Sequence, residues 1–143
     1  MSPIAGPPGE RVGEPSVDQS IAVLLIDDDA AVRGSLQFAL EQEGIAVRVY
    51  ADAAELLSAA DFSAPACLVI DYVLPGMDGI ALMGTLRSRA VNLPAILIAG
   101  RTTPEMRDRA LDAGFADILE KPLQDSALVD AIRTALAVSS AAG

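Results

Sequence analysis

Four side chains that follow short apolar runs are of the types that do phosphorus or metal chemistry. Val23-Leu24-Leu25-Ile26 leads into Asp27, Asp28 and Asp29. Leu68-Val69-Ile70 leads into Asp71, and Ile118-Leu119-Glu120 runs out into Lys121 and Pro122. Two carboxylates about 4 Å apart repel by roughly 4 kcal/mol at an effective dielectric near 20. A cluster of Asp27, Asp28 and Asp71 therefore has to bind a cation, take up a proton, or both. Magnesium suits such a cluster, because that ion needs few protein carboxylates and keeps positions for water and phosphate. A carboxylate beside magnesium and a lysine can act as a nucleophile towards phosphorus. Taken singly, each residue has a plainer reading: Asp29 as a helix cap, Asp71 as the start of a turn, Lys121 as a loop charge. Their weight comes from falling together.

Whether they do depends on the elements that carry them. Five apolar runs, Ala22–Ile26, Ala46–Tyr50, Cys67–Ile70, Ala95–Ile98 and Ile118–Leu119, alternate with segments of helical spacing. Those segments place Val32, Leu36 and Leu40 on one face, then Leu82, Met83 and Leu86. Met106, Ala110 and Leu111 follow, and finally Leu128, Ile132 and Leu136; the stretch from Asp52 to Ala60 is shorter. Asp29, Asp52 and Asp125 suit helix starts, and Gly44 and Gly114 suit the left-handed turn after a helix. Alternation of this kind predicts an α/β fold, a doubly wound five-stranded parallel sheet with five helices on two faces. Runs apolar at every position fit strands covered on both sides. In open parallel sheets ligands bind beyond the carboxyl ends of the strands, where strand order reverses. That is where the acidic groups and Lys121 fall if the first and third strands are neighbours. Residues 1–20, rich in Pro and Gly, read as a flexible leader, 21–137 as one domain, and 138–143 as a tail or linker stub.

Composition removes other chemistries. The 143 residues carry ten basic and twenty acidic side chains, a net charge of −10, which argues against direct nucleic acid binding. No histidine is present, which excludes Ser–His and Cys–His hydrolases, and the single Cys67 makes no internal disulfide. A metal site has to be built from oxygen, so magnesium, calcium or manganese are the candidates. No apolar stretch is long enough for a membrane span, and the N-terminus lacks the pattern of a secretory signal. The expectation is a soluble cytoplasmic protein without membrane contact.

Leu24-Leu25-Ile26-Asp27-Asp28-Asp29, Leu68-Val69-Ile70-Asp71, Leu74-Pro75-Gly76-Met77-Asp78-Gly79 and Glu120-Lys121-Pro122 closely resemble the receiver domain of two-component response regulators. This is the CheY-like superfamily, and the texture is nearest the nitrogen-fixation-type regulators. The resemblance spans about residues 20–137 and implies a flavodoxin-like strand order, 2-1-3-4-5. It implies that Asp71 is the phosphoacceptor, taking its phosphoryl group from a sensor histidine kinase or a histidine phosphotransfer protein. Asp27, Asp28, Asp71 and the Val73 backbone carbonyl would hold Mg2+, with Mn2+ as a substitute. Lys121 would pair with Asp71 and then with the phosphoryl oxygens, Pro122 would follow a cis peptide, and the Pro75–Gly79 turn would position the loop behind Asp71. Since the chain has no histidine, a partner must supply the donor.

Two positions depart from the family pattern. Ala99 stands where Thr or Ser usually ends the fourth strand, and Ile118 stands where an aromatic residue or His usually acts as a rotamer switch. Backbone amides of Ala99, Gly100 or Arg101, or the Thr102 hydroxyl, are the substitutes at hand for binding the phosphoryl group. The family also suggests pairing of two copies through the face formed by the fourth helix, fifth strand and fifth helix, with Arg101, Arg107, Arg109, Asp112 and Asp117 on hand. A second reading is a receiver-fold interaction module that works without phosphate. A third, a magnesium-dependent phosphohydrolase, lacks a further acid or base and a cap over the substrate, so turnover catalysis is not expected.

Overall fold

The computed structural model describes residues 22–142, without the side chains of residues 125 and 139–142. The leader read over residues 1–20 and the proposed cap by the Asp125 side chain lie outside the described residues. Five strands, β1 (Ala22–Ile26), β2 (Ala46–Tyr50), β3 (Ala66–Asp71), β4 (Ala95–Ala99) and β5 (Asp117–Glu120), form one parallel sheet in the order β2-β1-β3-β4-β5. Between and after them run α1 (Ala30–Gln42), α2 (Ala53–Ala59), α3 (Gly79–Ser88), α4 (Pro104–Ala113) and α5 (Asp125–Ala142). This is the expected doubly wound, flavodoxin-like arrangement.

The central strands β1, β3 and β4 are apolar on both faces because both faces are covered, whereas the edge strands β2 and β5 alternate with exposed positions. Val23, Leu25, Cys67, Val69, Ile96 and Ile98 point into one layer and meet Leu36 and Leu40 of α1 and Leu128 and Ile132 of α5. The alternate residues, Leu24, Ile26, Leu68, Ile70, Leu97 and Ile118, point into the other layer, against Leu56, Leu82, Met83, Leu86 and Ala110. Burying a side chain of this size stabilises by about 1.5–3 kcal/mol, so the two layers fix the sheet that carries the acidic groups. The Cys67 thiol is fully enclosed in this core and burial pushes its pKa up to about 12, which leaves no thiolate for chemistry at neutral pH.

Helix starts follow local hydrogen bonding. The Asp29 carboxylate accepts from the amides of Ala31 and Val32, Asp52 from that of Glu55, and Asp78 from that of Ala81. Thr103 caps α4 by accepting from Met106, with Pro104 in the first turn. Gly114 ends α4 at φ +109°, the left-handed conformation that its missing Cβ permits. Two details differ from expectation. Leu111 is more than half exposed, while Ala110 beside it takes the core position. The backbone from Val138 to Ala142, read as tail, continues α5; alanine is the best helix former, and the last residues supply it. Among the described residues no helix is long and apolar enough to cross a membrane.

Gly79 fixes the loop after β3. A Cβ there would lie 2.5 Å from the Asp71 carbonyl oxygen and 3.0 Å from Ile70 and Leu97 side-chain atoms. Its amide donates to the Tyr72 carbonyl at 2.7 Å. Gly79→Ala is therefore expected to cost about 1–3 kcal/mol through forced backbone movement, read as a lower denaturation midpoint in urea. A midpoint equal to that of the parent would show that the loop yields freely.

Candidate phosphoacceptor site

The neighbouring strands β1 and β3 end side by side, with Ile26 in register with Ile70, so Asp27 and Asp71 emerge together at the carboxyl edge of the sheet. Asp27 and Asp71 are buried, at 2 % and 5 % exposure, whereas Asp28 is exposed. One carboxylate oxygen from each of Asp27, Asp28 and Asp71 lies within 4.8 Å of the others. The Asp27 carboxylate also accepts from the Asp29 amide at 2.9 Å, and the Arg33 guanidinium donates to the Asp27 carbonyl at 2.7 Å. These bonds hold the turn between β1 and α1 in place.

Lys121 enters from β5. Its amide donates to the Ala99 carbonyl at 2.8 Å, and the Lys121–Pro122 peptide is cis. The ammonium lies 3.4 Å from Asp71 Oδ1 and 3.7 Å from Asp27 Oδ2. One cation thus serves two buried anions. Burial raises the Asp71 carboxyl above its ordinary range, and the Asp27 charge raises it further. Lys121 and the Val73 backbone N–H pull in the opposite direction without cancelling that rise. An anion held against its own solvation, next to a second anion, is a basic and nucleophilic oxygen.

The donor set fits magnesium. It consists of oxygen alone, it leaves one face exposed through Asp28, and its charge exceeds what Lys121 balances. A groove of about 320 Å3 is lined by Lys121 together with Val32, Leu36, Pro122 and Leu123 among others, which places apolar surface next to the Lys121 side chain.

The substitutes suggested for a hydroxyl at the end of β4 divide. Ala99 is buried and presents a methyl group, and Gly100 is exposed beyond it. The Thr102 hydroxyl is engaged elsewhere: it bonds the Glu120 carboxylate and accepts from Arg107 Nε. Ile118 is buried in the layer that includes Ala110 and lies in register with Leu97. The sequence reading missed the roles of Arg33, Glu120 and Thr103. A Thr-Pro pair before a helical segment was a usable signal for the last. The contacts of the other two depend on tertiary placement.

Residues 23–133 match the family model described as the response regulator receiver domain. The chain is 38 % identical over 125 residues to the transcriptional regulatory protein FixJ of Azorhizobium caulinodans, covering 87 % of this chain and 59 % of that one. It is 38 % identical over 121 residues to the C4-dicarboxylate transport transcriptional regulatory protein DctD of Pseudomonas aeruginosa, covering 85 % of this chain and 26 % of that protein. The chain thus spans less than two thirds of either relative. The crystal structure of FixJ-N superposes with a TM-score of 0.75 at 34 % identity, over 81 % of this chain and 93 % of that one. A CheY-like receiver domain protein from Methanospirillum hungatei gives 0.76 at 27 % identity, over 85 % and 98 %.

Proposed function

Because the chain belongs to the response regulator receiver domain family, we propose that it accepts a phosphoryl group on Asp71 from a phosphohistidine on a partner kinase or phosphotransfer protein. One observation carries this reading: the raised, buried Asp71 carboxylate faces Lys121 at 3.4 Å inside a three-carboxylate cluster. An Asp71 oxygen attacks phosphorus as the phosphorus–nitrogen bond to the donor imidazole breaks, and the electron pair leaves with that imidazole. The product is an aspartyl phosphate. Lys121 then turns its charge to the phosphoryl oxygens, and the backbone amides of Ala99 and Gly100 offer donors where a hydroxyl is missing.

Asp27, Asp28, Asp71 and the Val73 carbonyl would hold Mg2+, or Mn2+ in its place. When bound, the ion supplies positive charge that neutralises the carboxylates and the phosphoryl oxygens. The chain has no histidine, so the donor comes in trans, and the apolar groove beside Lys121 supports docking of a protein rather than a small ester. Phosphorylation changes the face formed by α4, β5 and α5, which we assign to protein partners, including a second copy. Nucleic acid is not a direct partner of so acidic a chain, and turnover of phosphate esters is not its activity. Cytoplasmic placement belongs to the same reading.

A second reading, an interaction module that works without phosphate, is favoured by Ala99 and Ile118, which bring neither hydroxyl nor ring. Intact mass after incubation with magnesium and a small-molecule phosphodonor separates the two. One phosphoryl group gained by the parent and none by Asp71→Asn is the expected result. No gain by the parent would favour the module, and free phosphate released from added esters would favour a hydrolase.

A further inference from the structure

Beyond Asp71 and Lys121, the carboxyl edge of the sheet carries a set of contacts that phosphoryl transfer does not use. Glu120 ends β5 in register with Ala99 and directly precedes Lys121. Its Oε2 accepts from the Thr102 amide at 3.0 Å and from the Thr102 hydroxyl. Arg107, in the first half of α4, donates from Nε to Thr102 Oγ1 at 3.0 Å and brings its outer nitrogen to 4.0 Å from Glu120 Oε2. Thr102 in turn sits immediately before Thr103, the cap of α4. The ion pair alone counts for little, because both side chains are nearly half exposed. The hydrogen bonds matter more, since two donors from one residue converge on one charged oxygen and hold the Glu120 carboxyl below the usual range.

We propose that Glu120, Thr102 and Arg107 form a latch that couples Lys121, and through it the state of Asp71, to the start of α4. The latch rests on Asp71 being a phosphoacceptor. It occupies the span between β4 and β5 where Ala99 and Ile118 provide neither a hydroxyl nor a ring. Glu120 and Lys121 share one peptide unit, and the Lys121 amide is anchored on Ala99. When a phosphoryl group draws the Lys121 ammonium away from Asp27, that peptide re-aims and the Glu120 carboxylate leaves Thr102. The cap of α4 is then free to move. In this scheme the closed latch belongs to the unphosphorylated arrangement, and Glu120 is a positioning residue for Lys121.

Linkage makes this testable, because whatever favours one arrangement weakens ligands of the other by the same factor. The probe is beryllofluoride with magnesium, titrated into the whole chain and followed by amide NMR and by heat of binding. Thr102→Val and Glu120→Ala are expected to bind the mimic at least threefold more tightly than the parent. They should also lose more than half of the mimic-induced shifts over Glu105–Ala113, while Thr102→Ser restores parent behaviour. Variants that match the parent in affinity and in α4 shifts, or bind more weakly, would overturn the latch. A parent without any mimic-induced change around Asp71 would overturn the phosphoacceptor reading and the latch together. Phosphoryl gain by intact mass in both variants distinguishes a cut latch from a damaged site.

Discussion

Asp71→Asn is expected to melt at a higher temperature than the parent at pH 7 in the presence of a chelator. Asp71 is buried, its carboxyl is raised first by lost solvation and then by Asp27, and Lys121 offsets only part of this. As pH rises from below the ordinary carboxylate range, the unfolded chain gives up this proton before the folded one does. The folded state then holds more protons, so stability falls with rising pH through that window. The penalty is absent well below the ordinary range and complete above the raised folded pKa. Asparagine keeps the shape and carries no charge. At an effective dielectric of 20 the attraction to Lys121 at 3.4 Å is about as large as the repulsion from Asp27. The two charges roughly offset, so the gain, about 1–2 kcal/mol, comes chiefly from relieving the lost solvation of the carboxylate. Calorimetry at pH 7 should show the variant several degrees above the parent, and at pH 3 the difference should close. Magnesium should close or reverse the gap at pH 7 from the other side. An ion at one hundred times its dissociation constant stabilises the parent by about 2.7 kcal/mol, and the variant, short of one carboxylate, by much less. A variant less stable than the parent at pH 7 without magnesium would mean that the Lys121 pair outweighs the repulsion, and the account of a strained carboxylate would fail.

Asp27 and Asp71 were legible in the sequence because each is the first polar residue after a run that is apolar on both faces, with Asp28 directly behind Asp27. Such runs fix where a strand ends, and the parallel winding brings those ends to one edge. Strand β5, by contrast, carries Asp117 and Glu120 itself, and Lys121 was legible through Glu120-Lys121-Pro122. Caps were legible where an acidic residue stands directly before a helical pattern, as at Asp29 and Asp52. Asp78 was read only as part of a turn, although its carboxylate holds the start of α3. Leu111 went astray for a related reason. Helical spacing marks a stripe, but α4 lies against the sheet along a narrow line, and Ala110 alone reaches it at that turn. The bonds from Glu120 to Thr102 join residues eighteen apart, and they exist because β4 and β5 pair with Ala99 opposite Glu120. No local pattern encodes that register, so the role of Glu120 could not be read before the sheet was in hand. Ala99 and Ile118 show the converse: the sequence exposed what is missing at the site, and the structure supplied contacts nearby that take up the same span.

Lys121→Arg is expected to damage the response to phosphate far more than the fold. The chain uses arginine at every other basic position and has its one lysine facing the acidic cluster. There the ammonium lies 3.4 Å from Asp71 and 3.7 Å from Asp27, so a compact charge sits between two buried oxygens. Its side chain is about one third exposed, at 32 %, which leaves it free to swing when charge arrives at Asp71. A guanidinium carries the same charge and would still neutralise both carboxylates, so stability should change by less than about 1 kcal/mol. Its planar fork, however, is longer and wider, and it engages two carboxylates through several directed bonds that must all break before it can reach a phosphoryl oxygen. Affinity for magnesium with beryllofluoride is therefore expected to fall at least tenfold, about 1.4 kcal/mol, with the melting temperature nearly unchanged. Isothermal titration beside thermal denaturation reads both quantities on one preparation. Parent-like affinity in the arginine variant would reduce Lys121 to a simple counter-charge, and a collapsed melting temperature would make it a structural residue. Loss of mimic binding in a stably folded variant is the outcome that ties this one lysine to the chemistry of Asp71.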